Sequence, residues 1–184
     1  MQSQSLVMAV LNIPDKNIQE RDVSAIRNYL NTRGIWFDQW EAKEKLAETA
    51  DQETVLNAYS HVLKPFMIKN NYHTADVINI NSTTPNYAAL RNKFLSEHKH
   101  TEDEVRFFVD GSGKFWFNLN EGVEPIFNVL CETGDLISVP AHTSHWFDAG
   151  ATNPNVKAIR IFIDQTGWVP HYTQSGVEKK YNPA

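Results

Sequence analysis

The chain has few of the features that mark secreted or membrane-bound proteins. Cys131 is the only cysteine among 184 residues, so no intramolecular disulfide can form and an oxidising compartment is not required. The apolar run from Leu6 to Leu11 is too short for a membrane anchor, and no basic segment precedes it as in a secretory signal. We therefore expect a cytoplasmic protein with no membrane partner.

Positive charge is also scarce. The 17 lysines and arginines are outnumbered by 22 acidic residues, which gives a net charge of -5. A surface of this sign disfavours binding to phosphate backbones, so we expect no nucleic-acid partner. Hydrophobic residues at 41% and charged residues at 21% are ordinary globular values. With no internal repeat or low-complexity tract, the length predicts a single folded domain.

The residue pattern changes along the chain from helical to alternating. Near the N-terminus, apolar side chains such as Ile26 and Leu30 recur at helical spacing behind a capping residue, Asp22 or Ser24, and a second helix is expected to end at Pro65. From about residue 75, short runs of β-branched and aromatic residues are separated by turn residues. This pattern predicts a mainly β sandwich or barrel with a few N-terminal helices packed outside.

The expected organisation is one domain over residues 1–184. Helical decoration is placed at about 20–65, the barrel core at about 75–168, and a peripheral tail at 169–184. A first strand is expected from Leu6 to Leu11. The glycines of Gly111-Ser112-Gly113 predict a hairpin turn between two strands.

Two histidines in EHKHTEDEVRFFVDG begin the most informative pattern. His98 and His100 are two residues apart, so on an extended strand both imidazoles leave the same face. Glu102, Glu104 and Arg106 follow at the same parity. A histidine pair of this kind, taken alone, is more often two polar residues on a solvent-facing strand than a metal site.

A second segment, GDLISVPAHTSHWF, contains His142 and His145. A distant histidine joined to the first pair and to one carboxylate gives three neutral nitrogens and one hard oxygen. Such a set suits a divalent transition metal such as Fe, Ni, Mn or Co. It fills four of six octahedral positions, which leaves two for water or for a substrate that chelates through two oxygens.

The first segment reads H-x-H-x3-E-x6-G, and the second reads G-x5-P with a histidine five residues after the proline. Together they resemble the two metal-binding motifs of the cupin barrels. From about Ala75 to Trp168 the chain is similar to the acireductone dioxygenases of the methionine salvage pathway. The resemblance implies a cupin-type β-barrel, also described as a double-stranded β-helix or jelly roll, whose metal ligands are His98, His100, Glu104 and His145.

The resemblance also assigns residues that spacing alone does not separate. It selects Glu104 over Glu102, so that Asp103 becomes a loop residue or a neighbour of a ligand, and it implies that Glu97 orients a ligand or helps in metal loading. His142 stands where the family usually has glycine, which indicates a positive φ. His142 is a rival ligand, but His145 alone keeps the spacing and the histidine-aromatic-phenylalanine ending of the motif.

The resemblance implies an enzyme that binds one Fe²⁺ or Ni²⁺ per chain and cleaves acireductone, 1,2-dihydroxy-3-keto-5-methylthiopentene, with O₂. With iron the implied products are formate and 2-keto-4-methylthiobutyrate. With nickel they are CO, formate and 3-methylthiopropionate. Two alternatives stay open: another cupin dioxygenase, and a non-catalytic cupin that binds a metal or a small molecule.

Arg106 is expected to hold a substrate oxyanion, since a guanidinium on the histidine face lowers the cost of a second negative charge. Its alternative role is a surface ion pair. Phe94 and Phe147 share parity with ligands on their own strands and would wall a pocket for the methylthio group, although core packing explains them equally well. Arg160 and Trp168 are further pocket candidates. Because a closed barrel has few free edges, we expect a monomer.

Overall fold

The structure, a computed structural model, describes residues 9–182, apart from the side chain of Glu121. The predicted first strand at Leu6–Leu11 therefore lies partly outside the described residues. The strands are β1 Val10–Ile13, β2 Ile18–Glu20, β3 Trp36–Gln39, β4 Thr74–Ile80, β5 His98–Lys99, β6 Glu104–Phe117, β7 Phe127–Glu132, β8 Asp135–Val139, β9 His145–Asp148, β10 Val156–Phe162 and β11 His171–Tyr172. The helices are α1 Val23–Asn31, α2 Gln52–Ala58, α3 Ser60–Asn70 and α4 Tyr87–Leu95.

The strands form two antiparallel sheets that share β6. The first half of β6 pairs with β8 and β10, and its second half pairs with β7 and β9. One sheet has the order β3-β8-β6-β10-β4, and the other has the order β11-β5-β9-β6-β7-β1-β2. The fold is therefore mainly β and of the jelly-roll kind. The pairing of the described strands does not close into a complete barrel, so the closed-edge argument for a monomer does not apply and the monomer stays a prediction.

The N-terminal region supplies strands to both sheets as well as helices. β1 pairs with β7 and with β2, whereas β3 pairs with β8, so these strands extend both sheets. The barrel core expected at about 75–168 therefore needs residues from 10 onward. These strands are short, and their partners lie far away in sequence, which is why local pattern did not assign them to the core.

The segment from Gly111 to Gly113 is a corner and not a hairpin turn. β6 runs without reversing from Glu104 to Phe117 and passes from one sheet to the other at these glycines. Gly111 has a φ of +73°, and a Cβ there would overlap the carbonyl oxygen of Asn155. Strands that change sheets bend sharply, and glycine permits both the bend and the close approach. The predicted hairpin was wrong because glycine marks turns and strand corners alike.

Alternation along β6 decides which side chains reach the interior. Val105, Phe107 and Val109 are buried in a cluster with residues of α2 and α3 on the outer face. Glu104 and Arg106 have the opposite parity and point between the two sheets, where Arg106 approaches aromatic rings. Two ionisable groups are therefore buried inside the sandwich.

Helix α1 begins as the sequence predicts, because the carboxylate of Asp22 accepts a hydrogen bond of 2.8 Å from the backbone N–H of Ala25. The predicted end of the second helix at Pro65 is wrong, since α3 continues to Asn70. Packing of Leu63 in the core and of Phe66 against tryptophan rings offsets the hydrogen bond that proline cannot make. No helix within residues 9–182 combines the length and apolar character that crossing a membrane requires.

The chain beyond Trp168 is not peripheral throughout. β11 pairs with β5, which places His171 opposite Lys99 and Tyr172 opposite His98. The expectation of a peripheral tail therefore fails for residues 169–175, which lie beside the histidine strand. A two-residue strand has no periodicity, so this pairing could not be predicted from the local pattern.

Asp135 is a buried carboxylate whose ionisation opposes folding. It is 1% exposed and accepts hydrogen bonds from the backbone N–H of Glu132 at 2.8 Å and from the amide of Gln39 at 2.9 Å. Burial outweighs these bonds and raises the pKa of Asp135 from 3.8 to about 6. The folded protein therefore holds this proton more tightly than the unfolded chain does. The contribution of the protonated carboxyl to the unfolding free energy is complete below about pH 4 and is lost as the pH rises through about 6.

We expect the unfolding free energy of Asp135→Asn, taken relative to that of the wild-type protein at each pH, to rise between pH 4 and 7, because asparagine carries no proton to lose. A pKa difference of this size corresponds to about 3 kcal/mol. Urea unfolding at several pH values measures the effect, and the exposed Glu53→Gln is the control. Parallel curves for the wild-type protein and Asp135→Asn would contradict the assignment.

Candidate metal centre

Four side chains converge at one end of the interior. One ligand atom from each of them lies within 4.8 Å of all the others, and all four residues are buried; they are His98, His100, Glu104 and His145. Strand pairing produces this convergence, since His98 of β5 lies opposite His145 of β9, which in turn lies opposite Phe117 of β6. Neighbouring antiparallel strands thus bring distant parts of the chain to one point.

Each of the three histidines is oriented by a backbone carbonyl. Their Nδ1 atoms bond to carbonyl oxygens as follows: His98 to Ser96 at 2.7 Å, His100 to Val169 at 3.2 Å and His145 to Thr143 at 2.8 Å. This contact makes Nδ1 the protonated ring nitrogen and leaves the lone pair of Nε2 free to bind a metal. Burial, together with the neighbouring His145, lowers the pKa of His98 to about 3, so its ring is in the neutral form that ligates.

Glu104 supplies the carboxylate of the group. Its Oε2 lies 3.0 Å from Nε2 of His145 and 3.4 Å from Nε2 of His100, and its Oε1 accepts a hydrogen bond from Arg106. Burial alone would raise the pKa of Glu104, but the Arg106 guanidinium outweighs it and holds that pKa well below its usual range. Ring nitrogens and an ionised oxygen that face one another in this way are stabilised by a shared cation, and the donor set fits a divalent transition metal.

His142 lies apart from this group. Its φ is +63°, as predicted from the usual glycine, and its backbone N–H donates to the carbonyl of His100 at 2.8 Å. The ring is exposed and lines an outer groove with Lys99 and Arg33. The structure therefore brings His145, and not His142, to the other three side chains, while the backbone of His142 ties the two motif segments together.

Three acidic residues near the ligands accept hydrogen bonds from other segments of the chain. Asp103 accepts hydrogen bonds from the N–H of Ala141 at 2.9 Å and from the hydroxyl of Tyr72 at 3.4 Å, which fixes the turn of the second motif. Glu102 accepts from two N–H groups that follow β10. Glu97 bonds, through its side chain, to Asn118, Thr173 and Ser175. Within residues 9–182 none of these three carboxylates bonds to a ligand side chain, so the roles predicted for Glu97 and Asp103 at the ligands stay predictions.

A cavity of about 150 Å³ opens onto the four ligands. The pocket residues predicted from sequence all line it; they are Phe94, Arg106, Phe147, Arg160 and Trp168. The rings of Phe94 and Phe147 meet edge to face at 6.1 Å, although Phe94 belongs to helix α4 and not to a strand as predicted. Sequence reasoning missed Leu90, Pro170 and Tyr172, because neither the full length of α4 nor β11 was expected.

Arg106 is the most unusual residue of the cavity. It is 3% exposed, and its guanidinium carbon lies 4.8 Å from the ring centre of Phe115 and 4.4 Å from that of Phe147. Burial lowers the pKa of Arg106 and the charge of Glu104 opposes this effect, so the group stays a cation. Its Nε and Nη1 atoms are buried and have no hydrogen-bond partner among residues 9–182. Unpaired buried donors are costly, and a bound oxygen would satisfy them.

Gly113, which the sequence predicted only as a turn residue, leaves room for a residue that lines the cavity, Phe147. A Cβ at this position would overlap the ring of Phe147. Phe147 is 2% exposed, packs on Phe115 at 5.0 Å and on Arg106, and lines the cavity. The glycine therefore leaves the space that the ring of Phe147 occupies at the cavity wall.

We expect Gly113→Ala to push Phe147 toward the cavity. Overpacking of this kind costs about 1–3 kcal/mol of stability, and the smaller cavity should raise KM more than it lowers kcat. Denaturant unfolding and steady-state kinetics measure the two effects, with Ser112→Ala in the same strand as the control. An unchanged KM with unchanged stability would show that Phe147 does not limit the cavity.

Two sheets that share a strand, with three histidines and one glutamate grouped beside an interior cavity, define a cupin with a metal-binding centre. The family model described as the ARD/ARD' family matches residues 13–170. The chain belongs to this family.

Proteins similar to this chain match it over most of both lengths. A protein of Picosynechococcus named acireductone dioxygenase is 58% identical over 160 residues, which are 87% of this chain and 89% of that protein. One of the same name from Cronobacter sakazakii is 45% identical over 163 residues, with 89% and 88% covered. The solved structure of acireductone dioxygenase from Bacillus anthracis, with a cadmium ion in its active centre, matches with a TM-score of 0.81 and 32% identity over 90% of this chain and 98% of that one.

Proposed function

We propose that this protein is an acireductone dioxygenase that cleaves 1,2-dihydroxy-3-keto-5-methylthiopentene with O₂ in methionine salvage. The observation that carries the proposal is the grouping of three oriented histidines and one ionised glutamate beside a cavity that contains unpaired donors of Arg106. The shared name of its relatives, one of them with a metal ion in its active centre, supports the same activity.

Four side chains would hold one divalent metal ion; they are His98, His100, Glu104 and His145. A bound ion would supply Lewis acidity and a template for a substrate that binds through two oxygens. We propose Fe²⁺ or Ni²⁺ in this place. The iron protein is then expected to give formate and 2-keto-4-methylthiobutyrate, and the nickel protein to give CO, formate and 3-methylthiopropionate.

Arg106 would hold the negative charge of the substrate. Its Nε and Nη1 atoms have hydrogens to donate to an enediolate oxygen, because only Nη2 is used by Glu104. A charge-assisted hydrogen bond in a buried site favours loss of the substrate proton more strongly than the same contact in water would. Arg106 is therefore assigned to binding and charge stabilisation.

The aromatic residues of the cavity would receive the methylthio end. Phe94 and Phe147 offer ring edges and faces, which thioether sulfur contacts favourably. Arg160 is held by Asp76 through bonds of 2.8 and 2.5 Å, so we assign it a fixed positive charge at the cavity wall. Nε1 of Trp168 is buried without a partner among residues 9–182 and could donate to substrate.

The organisation of the chain fits this function. We propose one domain over residues 1–184, with the substrate and O₂ as its small-molecule partners. A monomer in the cytoplasm stays a prediction.

Metal analysis of the purified protein, followed by oxygen uptake with chemically generated acireductone, tests the proposal. We expect about one metal ion per chain and uptake that requires the substrate. Absence of metal would favour a non-catalytic cupin, and metal without substrate-dependent uptake would favour a cupin acting on another substrate.

A further inference from the structure

Lys93 belongs to the cavity wall and to the protein surface at once. It lies in the last turn of helix α4, where Leu90, Lys93 and Phe94 have helical spacing and all line the cavity. Lys93 is exposed, whereas Leu90 and Phe94 are half-buried. Long lysine side chains keep the ammonium group in water while the methylene chain covers apolar surface. Lys93 is therefore placed at the opening of the cavity.

An outer groove of about 620 Å³ adjoins the cavity at this opening. Groove and cavity share two lining residues, Lys93 of α4 and Tyr172 of β11, and Tyr172 is 45% exposed. Two grooves elsewhere on residues 9–182, beside His142 and beside Tyr181, share no lining residue with the cavity. A route from solvent to the four grouped ligands therefore passes between Lys93 and Tyr172.

Among the described residues that line the cavity, Lys93 is the cation without a carboxylate partner. Arg106 is paired with Glu104, and Arg160 is paired with Asp76. No carboxylate of residues 9–182 forms an ion pair with the ammonium group of Lys93. The positive charge at the opening is therefore not neutralised by a neighbouring acid.

The outer groove has no excess of either charge. Lys93 and Lys179 line it together with two carboxylates, those of Glu97 and Glu178. Both oxygens of Glu97 accept hydrogen bonds. An anion that crosses the groove is therefore attracted most strongly at the inner end, where Lys93 borders the cavity.

The proposed substrate is an anion, because an enediol conjugated to a carbonyl group is acidic enough to ionise at neutral pH. The whole chain has a net charge of -5, which repels such a molecule. A local cation at the opening reverses the sign of this interaction along the entry route. We propose that Lys93 draws the anionic substrate into the cavity, where Arg106 then holds it. This inference rests on the proposed function.

Four variants test the charge of Lys93. Lys93→Glu reverses the charge, and Lys93→Arg keeps it. Lys93→Gln removes the charge without placing a carboxylate in the last turn of α4, where the helix dipole disfavours an acid. Lys64→Glu is the matched control, since Lys64 is an exposed lysine of α3 that lines neither the cavity nor the outer groove. The control changes the net charge of the protein by the same amount as Lys93→Glu.

The first readout is kcat/KM per bound metal ion at ionic strengths of about 0.01 M and about 1 M, where charges interact over about 30 Å and about 3 Å. At the lower ionic strength we expect kcat/KM to fall about five- to tenfold in Lys93→Glu and about two- to threefold in Lys93→Gln, with kcat within about twofold. At the higher ionic strength all variants should lie within about twofold of the wild-type protein. Lys93→Arg and Lys64→Glu should do so at both.

The second readout does not depend on turnover. A cation that enters by the same route is repelled by Lys93, so the charge reversal acts on it with the opposite sign. Stopped-flow association of Ni²⁺ with the metal-free protein at low ionic strength should be about fivefold faster for Lys93→Glu than for the wild-type protein. For Lys64→Glu the rate should change by less than about twofold.

The inference is overturned if Lys93→Glu and Lys64→Glu have the same kcat/KM at low ionic strength, or if Lys93→Glu does not bind Ni²⁺ faster. It is also overturned if the loss of kcat/KM persists at high ionic strength, because a direct contact inside the cavity would then be responsible. A wild-type protein without activity toward acireductone would refute the proposed function, and the Ni²⁺ association rates would then decide whether Lys93 lies on the entry route.

Discussion

Replacing His145 with alanine is expected to reduce the metal content from about one ion per chain to near zero and to abolish substrate-dependent oxygen uptake. The ring of His145 supplies one of three oriented Nε2 atoms, and it lies 3.0 Å from the carboxylate of Glu104. Without this ring, the buried carboxylate of Glu104 is grouped with only two ligand nitrogens, those of His98 and His100. Metal analysis after purification and oxygen-electrode measurements check the two effects.

His142→Ala is the matched control for this experiment. His142 lies three residues earlier and is exposed, and its backbone N–H donates to the carbonyl of His100. We expect the alanine variant to keep its metal and most of its activity. The reverse outcome, in which His142→Ala loses metal and His145→Ala keeps it, would overturn the ligand assignment.

Arg106→Gln is expected to lower kcat/KM by about 10² to 10³-fold, as removal of a preorganised donor to a developing anion does elsewhere. Metal affinity is expected to fall as well, because Arg106 donates a hydrogen bond to the ligand Glu104, so kcat/KM is expressed per bound metal ion. Glutamine is shorter and neutral, so it neither reaches the substrate oxygen nor offsets its charge. Steady-state kinetics on protein of known metal content measure the loss.

Arg91→Gln separates this effect from the general loss of an ion pair, since the pair of Arg91 with Asp148 is partly buried. Arg91 binds Asp148 at 2.8 and 2.9 Å but does not line the cavity. We expect that variant to lose some stability and to keep its kcat/KM. If both variants lose activity equally, or if Arg106→Gln keeps full kcat/KM, Arg106 does not bind the substrate.

Strand alternation placed His98, His100, Glu104 and Arg106 on one face but did not separate Glu102 from Glu104. The structure supplies the reason, since β5 ends at Lys99 and β6 begins at Glu104. The residues between are a loop, where alternation does not hold. Glu102 there turns its carboxylate toward the backbone N–H groups that follow β10.

The features that sequence reasoning missed depend on contacts between distant segments. Whether Gly111 and Gly113 form a turn or a corner depends on the partners of β6, which lie on two different sheets. The position of residues 171–175 depends on pairing with β5 and on hydrogen bonds to Glu97, which no local pattern connects to that segment. Helix α3 passes Pro65 because aromatic rings of other elements pack on it. Local propensity predicts a helix or strand correctly where tertiary packing favours the same conformation. It fails where contacts between distant segments favour another one.

X-ray absorption spectroscopy of the nickel-loaded protein, without and with substrate, measures whether the four side chains bind one metal ion that the substrate reaches. We expect one ion per chain, bound by three imidazole nitrogens and a carboxylate oxygen, with a change in the remaining oxygen neighbours when substrate is added. An ion bound by fewer than three imidazoles, or one whose surroundings do not respond to substrate, would contradict the account.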